Sequence, residues 1–198
     1  MKELSEHWRV FIAIELPSFV RKSLSNHINR LRNALPDVHA SWSREENLHL
    51  TLKFLGDTPV AKIEALSQAA QRTAVSFQPF DLIVGRCGAF PPRGQPRVLW
   101  IGIDDPTGEL AKLHRALEDE CAKAGFAREE RPFHPHLTIA RLRKPQGSRR
   151  LAELHGEVGF TNQQVGVPEM VLFRSELLSE GSRHTAISRH WFGQQRSH

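Results

Sequence analysis

His49-Leu50-Thr51 and His136-Leu137-Thr138 are the same triplet written twice, and the reading of the chain turns on them. The first sits in an apolar run over residues 48–55, the second in one over residues 133–142. Runs of this length, with Pro or Gly at their borders, read as buried strands. Residues two apart on a strand point to one face. Each triplet therefore offers an imidazole and a hydroxyl on one side and turns its leucine into a core. Two such strands side by side frame a pocket with paired imidazoles and paired hydroxyls. That set suits phosphoryl chemistry: one His takes a proton, the other gives one, and the hydroxyls hold phosphate oxygens.

Outward from the triplets, the chain reads as scaffold. Residues 10–16 are an apolar run closed by Pro17, a central strand. Val20, Leu24, Ile28, Leu31 and Leu35 then recur at helical spacing, with Ser18 as expected N-cap and Pro36 as the stop. Residues 40–43 form a short strand, Asn47 introduces the first triplet strand, and Gly56-Asp57 ends it. Thr58-Pro59 opens a second helix that is buried through Val60, Ile63, Leu66 and Ala70. Residues 80–84 and 97–103 read as strands, joined by a loop over residues 88–96 that carries Phe90 and Arg93. Loops of that kind often line a site. Pro106 opens a third helix, with Leu110, Leu113, Leu117 and Cys121 as its stripe and Gly125 as its C-cap. A cationic turn over residues 143–150, a short helix over 151–155 and a strand near 160–165 follow the second triplet. Residues 170–177 and 184–191 form a final hairpin around Gly181.

The order strand, helix, strand, strand, helix runs roughly twice, which suggests a faint internal duplication. The expected fold is α+β: two pseudo-symmetric lobes, each an antiparallel sheet with helices on its outer face, around a central cleft. Each lobe supplies one triplet strand to the cleft. A parallel doubly wound sheet is rejected, because no Gly-rich turn follows the first strand and the strand pairs at both ends lack crossover helices. Residues 1–193 read as a single two-lobed domain and residues 194–198 as a frayed tail.

Composition narrows the class. A chain of 198 residues is long enough for a real core. Its 39% apolar and 25% charged residues argue against disorder. A net charge of +5 and a pI near 9.7 favour a phosphate-bearing partner. Cys87 and Cys121 form no Cys-x-x-Cys pair, which suggests neither a zinc ribbon nor a disulfide framework. The charged start is no signal peptide and no run is long enough to span a bilayer, so a cytoplasmic location is expected.

His49 and His136 are the first candidates for chemistry, although one strand His alone is more often a hydrogen-bonded core or surface residue. Thr51 and Thr138 are also ordinary strand residues; their place in the triplets makes them candidates for phosphate. Arg141 lies at the end of the second strand, where a guanidinium can grip a phosphate with two parallel bonds. His134 and His136 form a His-x-His pair, yet no carboxylate sits near at ligand spacing, so no metal is expected. Phe11 and Phe90 are candidates for stacking on a nucleobase; for Phe11 the competing reading is core packing. The cationic turn could follow an RNA backbone or be a solvated loop.

Two extended stretches carry a resemblance. Trp42 followed by Asn47-Leu48-His49-Leu50-Thr51-Leu52-Lys53-Phe54-Leu55-Gly56, and Arg131-Pro132-Phe133-His134-Pro135-His136-Leu137-Thr138-Ile139-Ala140-Arg141, resemble the paired signatures of the RNA 2',3'-cyclic phosphodiesterases. These are the ThpR/LigT group of two-histidine phosphoesterases, also called 2'-5' RNA ligases. Val10-Phe11-Ile12-Ala13-Ile14, Arg97-Val98-Leu99-Trp100-Ile101-Gly102 and Leu172-Phe173-Arg174-Ser175-Glu176-Leu177 add to it, so the likeness runs from about residue 9 to 192. The resemblance implies two antiparallel lobes around a cleft. It implies metal-independent opening of a 2',3'-cyclic phosphate at an RNA end, tRNA fragments among the candidate substrates, and in some members reversible, ATP-independent 2'-5' joining. It implies no cofactor. In that frame His49 is assigned as proton donor, His136 as proton acceptor, and Thr51, Thr138 and Arg141 as phosphate ligands. A monomer is expected. One departure stands out: relatives commonly carry Tyr in the last hairpin where this chain has His184, and the expected consequence is a packing change only. The rival readings are a non-catalytic RNA-binding module, or a phosphodiesterase acting on a small nucleotide or on 2'-5' oligoadenylate.

Overall fold

The computed structural model describes residues 6–179 and 181–193; the tail expected to fray, residues 194–198, lies outside them. Its strands are β1 (His7–Glu15), β2 (Ala40–Trp42), β3 (His49–Pro59), β4 (Phe80–Phe90), β5 (Val98–Asp104), β6 (His136–Leu142), β7 (Gln163–Val167), β8 (Glu169–Leu178) and β9 (Gly181–Trp191). Its helices are α1 (Ser18–Ala34), α2 (Ile63–Ala74), α3 (Glu109–Lys123) and α4 (Ser148–Val158). The fold is α+β, with two antiparallel sheets ordered β3-β1-β8-β9 and β2-β6-β5-β4-β7. No helix of the described residues is long and apolar enough to cross a membrane.

Alternation along β1 explains how one sheet serves both a core and a cleft. Val10, Ile12 and Ile14 join the main core with the helices, while Phe11 and Ala13 form a separate small cluster with Val171 and Phe173. A strand buried on both faces reads as a continuous apolar run, which is how residues 10–14 look in the sequence. The triplet strands follow the same period. Leu50 is 1% exposed and Leu137 is fully buried, so each strand is anchored by the leucine between its His and Thr.

The lobes are not consecutive halves of the chain. The β1 sheet takes β1 and β3 from the first half but β8 and β9 from the end, and β4 crosses to pair with β5. The helices cross as well. The first helix, α1, lies beside α4: His27 and His155 rings are hydrogen-bonded at 2.9 Å, and His155 Nε2 donates to the Trp100 carbonyl of β5 at 3.0 Å. In turn α3 lies beside α2 over the β1 sheet, where Glu118 takes the Lys53 ammonium of β3. The first half of the chain thus lends α1, β2 and β4 to the β5 sheet, and the second half lends α3, β8 and β9 to the β1 sheet.

Several boundaries differ from the sequence expectation. Pro17 is the N-cap of α1, and no side chain caps the helix, so Ser18 does not play that role. The first triplet's strand, β3, runs on through Gly56 to Pro59, because residues 57–59 pair with His7–Arg9, and α2 begins only at Ile63 after a 3-10 turn. The loop expected over residues 88–96 is shorter: Gly88, Ala89 and Phe90 belong to β4 and pair with Trp100, Leu99 and Val98. Gly88 is a strand residue for a steric reason: a Cβ there would come within 2.0 Å of the Trp100 ring, which lies over it.

Candidate active site

The β3 and β6 strands deliver their triplets to one cleft of about 980 Å³, lined by His49, Thr51, His136, Thr138 and Arg141 among others. In each strand the leucine points into the core and fixes the direction of the other two side chains. The strand backbones are pinned nearby. Ser43 Oγ donates to the Thr138 carbonyl at 2.7 Å, and Ile103 N donates to the Pro135 carbonyl at 3.3 Å.

Both histidines are held by the same local device. His136 Nδ1 lies 2.6 Å from the His134 carbonyl, and the His49 ring is hydrogen-bonded to the backbone of Asn47. A carbonyl only accepts, so the bonded nitrogen of His136 carries the hydrogen and its Nε2 is left with a lone pair. Asn47 is itself braced, its Nδ2 donating to the Ser182 carbonyl at 2.8 Å.

The surroundings of the two rings differ. His49 stacks on Phe11 at 4.7 Å and lies edge-on to His184 at 5.2 Å, with Phe173 at 6.3 Å. Burial, with the neighbouring His184 as a second cause, lowers its pKa to about 4, against a raising contribution from the Asn47 bond. His136 has instead the edge of Phe90 at 5.1 Å. Neither the Thr51 nor the Thr138 hydroxyl has a partner among the described residues, and Arg141 makes no ion pair there, so all three are free to meet an anion.

A model of the 2'-5' RNA ligase superfamily matches residues 20–176. The chain is an enzyme of that superfamily. It is similar to an RNA 2',3'-cyclic phosphodiesterase of Methanothermobacter thermautotrophicus, 36% identical over 182 residues that cover 89% of this chain and 95% of the relative. An Escherichia coli protein of the same description is 32% identical over 187 residues, 94% of this chain and 97% of the relative. Among solved structures, E. coli LigT complexed with 3'-AMP superposes with a TM-score of 0.74 at 29% identity, covering 96% of this chain and all of that one.

Within this 2'-5' RNA ligase frame, the cleft gathers His49, Thr51, His136, Thr138, Arg141 and Phe90 but not Phe11. Phe11 is 3% exposed, with Phe173 stacked at 5.2 Å and His49 at 4.7 Å. It has no face left for a nucleobase and serves as the apolar backing of His49. Phe90 lies in the wall beside His136, tilted against Trp100. The His134 ring joins no cluster of metal donors among the described residues. The cluster found there is His27, Cys87 and His155, with donor atoms within 4.8 Å, and none of them lines the cleft. The two rings of that cluster are already bonded to each other and to Trp100, which accounts for both.

Sequence reasoning missed two roles. Lys53 lies in the first signature and lines the cleft, but its ammonium is spent on both Glu118 oxygens at 2.8 and 2.7 Å and on the Ala127 carbonyl at 2.8 Å. It anchors β3 to α3, and its burial partner comes from a helix that no local signal links to it. His184 was expected to alter packing only; it stands in the cleft wall against the catalytic candidate His49. Its replacement of an expected Tyr was the available signal.

Proposed function

We propose that this enzyme hydrolyses RNA 2',3'-cyclic phosphate ends to 2'-phosphate ends without a metal ion, with His49 as proton donor and His136 as proton acceptor. The observation that carries the reading is a single cleft receiving His49 and Thr51 from one sheet and His136, Thr138 and Arg141 from the other, with the two hydroxyls and Arg141 unpartnered among the described residues. The relatives named as RNA 2',3'-cyclic phosphodiesterases support the same substrate.

In-line attack puts the entering and leaving oxygens on opposite sides of phosphorus. Water bonds to phosphorus through its oxygen and gives a proton to Nε2 of His136. The bond from phosphorus to O3' breaks, and O3' takes the proton carried by His49. The phosphate stays on O2'. Thr51 and Thr138 donate to the non-bridging oxygens and Arg141 balances their charge, each donor being worth roughly 3 to 4 kcal/mol by analogy with other oxyanion sites. Phe90 is the aromatic assigned to the terminal base. In the free protein the cleft keeps His49 neutral down to about pH 4. The donor role therefore requires the substrate's own negative charge to raise its proton affinity. A 5'-hydroxyl in the place of water would yield a 2'-5' linkage by the same bond changes, so reversible ligation belongs to the proposal.

The test is hydrolysis of a 2',3'-cyclic nucleotide followed by ³¹P NMR. A 2'-phosphate product, formed at an undiminished rate in EDTA, is expected. A 3'-phosphate product, or a rate that needs added metal, overturns the mechanism.

A further inference from the structure

Two smaller cavities adjoin the cleft and share lining residues with it, and their charges differ. One, about 300 Å³, shares Trp42 and Arg143 with the cleft and adds Arg32, His39 and Lys144. No carboxylate lines it among the described residues. The other, about 340 Å³, shares His114, Glu129 and Phe133, and holds the carboxylates of Glu118 and Glu129 beside Arg115 and Arg128. Arg128 is already paired with Asp119 at 2.6 Å. A polyanion is favoured in the first and offset in the second.

The backbone leads from the catalytic residues to the cationic cavity. Thr138 and Arg141 lie on β6, and Arg143 extends it by donating its backbone N–H to the His39 carbonyl at 2.8 Å. Arg141 and Arg143 are two residues apart on extended chain, about 7 Å, and so share a face. Arg143 Nε donates to Ser41 Oγ at 2.8 Å, which holds its guanidinium over the β2 edge. The turn beyond is braced by Gln95, which donates to the Pro145 carbonyl at 3.1 Å and to Ser148 Oγ at 2.6 Å. Trp42 and Val38 supply an apolar wall on which a base can lie.

We propose that this cavity, through Arg32, Arg143 and Lys144, is the subsite for the nucleotides immediately 5' of the cyclic phosphate. The inference rests on the cyclic-phosphate hydrolysis proposed above. The terminal phosphate sits between the triplets, Arg141 marks the exit, and the next phosphates lie among Arg143, Lys144 and Arg32. A mononucleotide fills only the cleft and gains nothing from Arg32 and Lys144, which line the side cavity alone.

The experiment compares kcat/KM for a cyclic-ended ribotetranucleotide and for a mononucleotide 2',3'-cyclic phosphate, in the wild type and in R32A/K144A. Both replaced residues are exposed and carry no ion pair among the described residues, and a thermal melt checks that the variant is folded. The expected result is a wild-type preference for the tetranucleotide of about tenfold or more at low salt, falling several-fold in the variant. The salt dependence of the tetranucleotide reaction should also become shallower by about 1.4 in log–log slope, at roughly 0.7 for each lost phosphate contact. Equal kcat/KM for the two substrates in the wild type, or an unchanged preference in the variant, overturns the subsite while leaving hydrolysis intact. Should the wild type hydrolyse neither, the functional reading fails. The subsite is then judged by fluorescence anisotropy of a 5'-labelled tetranucleotide carrying a 2'-phosphate. Weaker binding by the variant supports it, and equal binding overturns it.

Discussion

The β3 and β6 strands carry the same triplet, use the same backbone-carbonyl bond to hold the His ring, and bury the same leucine. They differ in what surrounds the ring and in what anchors the strand. His49 lies on an aromatic layer of Phe11 and Phe173 with His184 at its edge; His136 faces the edge of Phe90. Behind β3 is the buried Lys53–Glu118 pair, whereas β6 is held at its edge by Ser43. Duplication alone yields two equal histidines. The unequal surroundings separate them: burial lowers the His49 pKa to about 4, a direction that the proposed donor role offsets only once an anion is bound beside the ring.

The anchors offer the largest test of this asymmetry. Lys53 and Glu118 side chains are 3% and 7% exposed. Lys53→Ala leaves a buried carboxylate without its cation and should cost about 3–5 kcal/mol of stability in urea unfolding. Ser43→Ala removes one neutral hydrogen bond from β6 and should cost only about 1 kcal/mol. Comparable losses in the two variants would mean that the strands are not held differently. The next effect is on turnover. His49→Ala and His136→Ala should each lower kcat by about a hundredfold or more. A cyclic substrate with sulfur in place of O3' separates their roles, because a thiolate leaves without a proton. On it the His49→Ala penalty should shrink and the His136→Ala penalty should persist; the reverse pattern exchanges donor and acceptor.

Much of this comparison is legible in the sequence, for a physical reason. A period of two puts His and Thr on one face and Leu on the other, and both leucines are buried as that period demands. The final hairpin and the stripes of α1 and α3 are local patterns too, and Val20, Leu24, Leu110 and Leu113 are all fully buried. What sequence could not carry is pairing at a distance. Nothing near Lys53 names Glu118, and nothing near His27 names His155; each pair depends on a helix crossing to the other lobe. Phe11 reads equally well as a stacking platform or as core until β8 supplies Phe173 beside it. Gly88 and Phe90 look like loop because Gly and Pro cluster there, yet the glycine only makes room for Trp100 within a strand.

The proton affinity of His49 gives the next smaller effect. With a pKa near 4 in the free protein, its ring should titrate in NMR well below the usual range. Saturation with a nucleoside 2'-phosphate should move that titration upward, because an adjacent anion favours the charged ring. A titration that stays near 4 with the anion bound would leave His49 without a proton to give at neutral pH. The same lowered affinity has a thermodynamic consequence. An unfolded His takes up its proton near pH 6.5, while His49 and His27 resist it until about pH 4. The unfolded state therefore binds more protons in that window, and thermal stability should fall as pH drops from about 6.5 toward 4.

The smallest effect isolates His184, which lines the cleft beside His49. His184 lies edge-on to both Phe11 and His49, and its own pKa is lowered by burial. It depresses His49 in two ways: it shares in excluding water, and any charge it takes opposes a charge on its neighbour. His184→Gln keeps a polar side chain of similar size and removes the second contribution. Burial is the larger cause, so the His49 titration should rise only modestly and remain below the ordinary value. A rise all the way to that value would assign the depression to His184 instead of to the aromatic layer. No rise at all would make the His184 imidazole a wall and nothing more. The split between these outcomes decides whether the asymmetry of the two triplets is built by Phe11 and Phe173 beneath the ring or by the hairpin that closes over it.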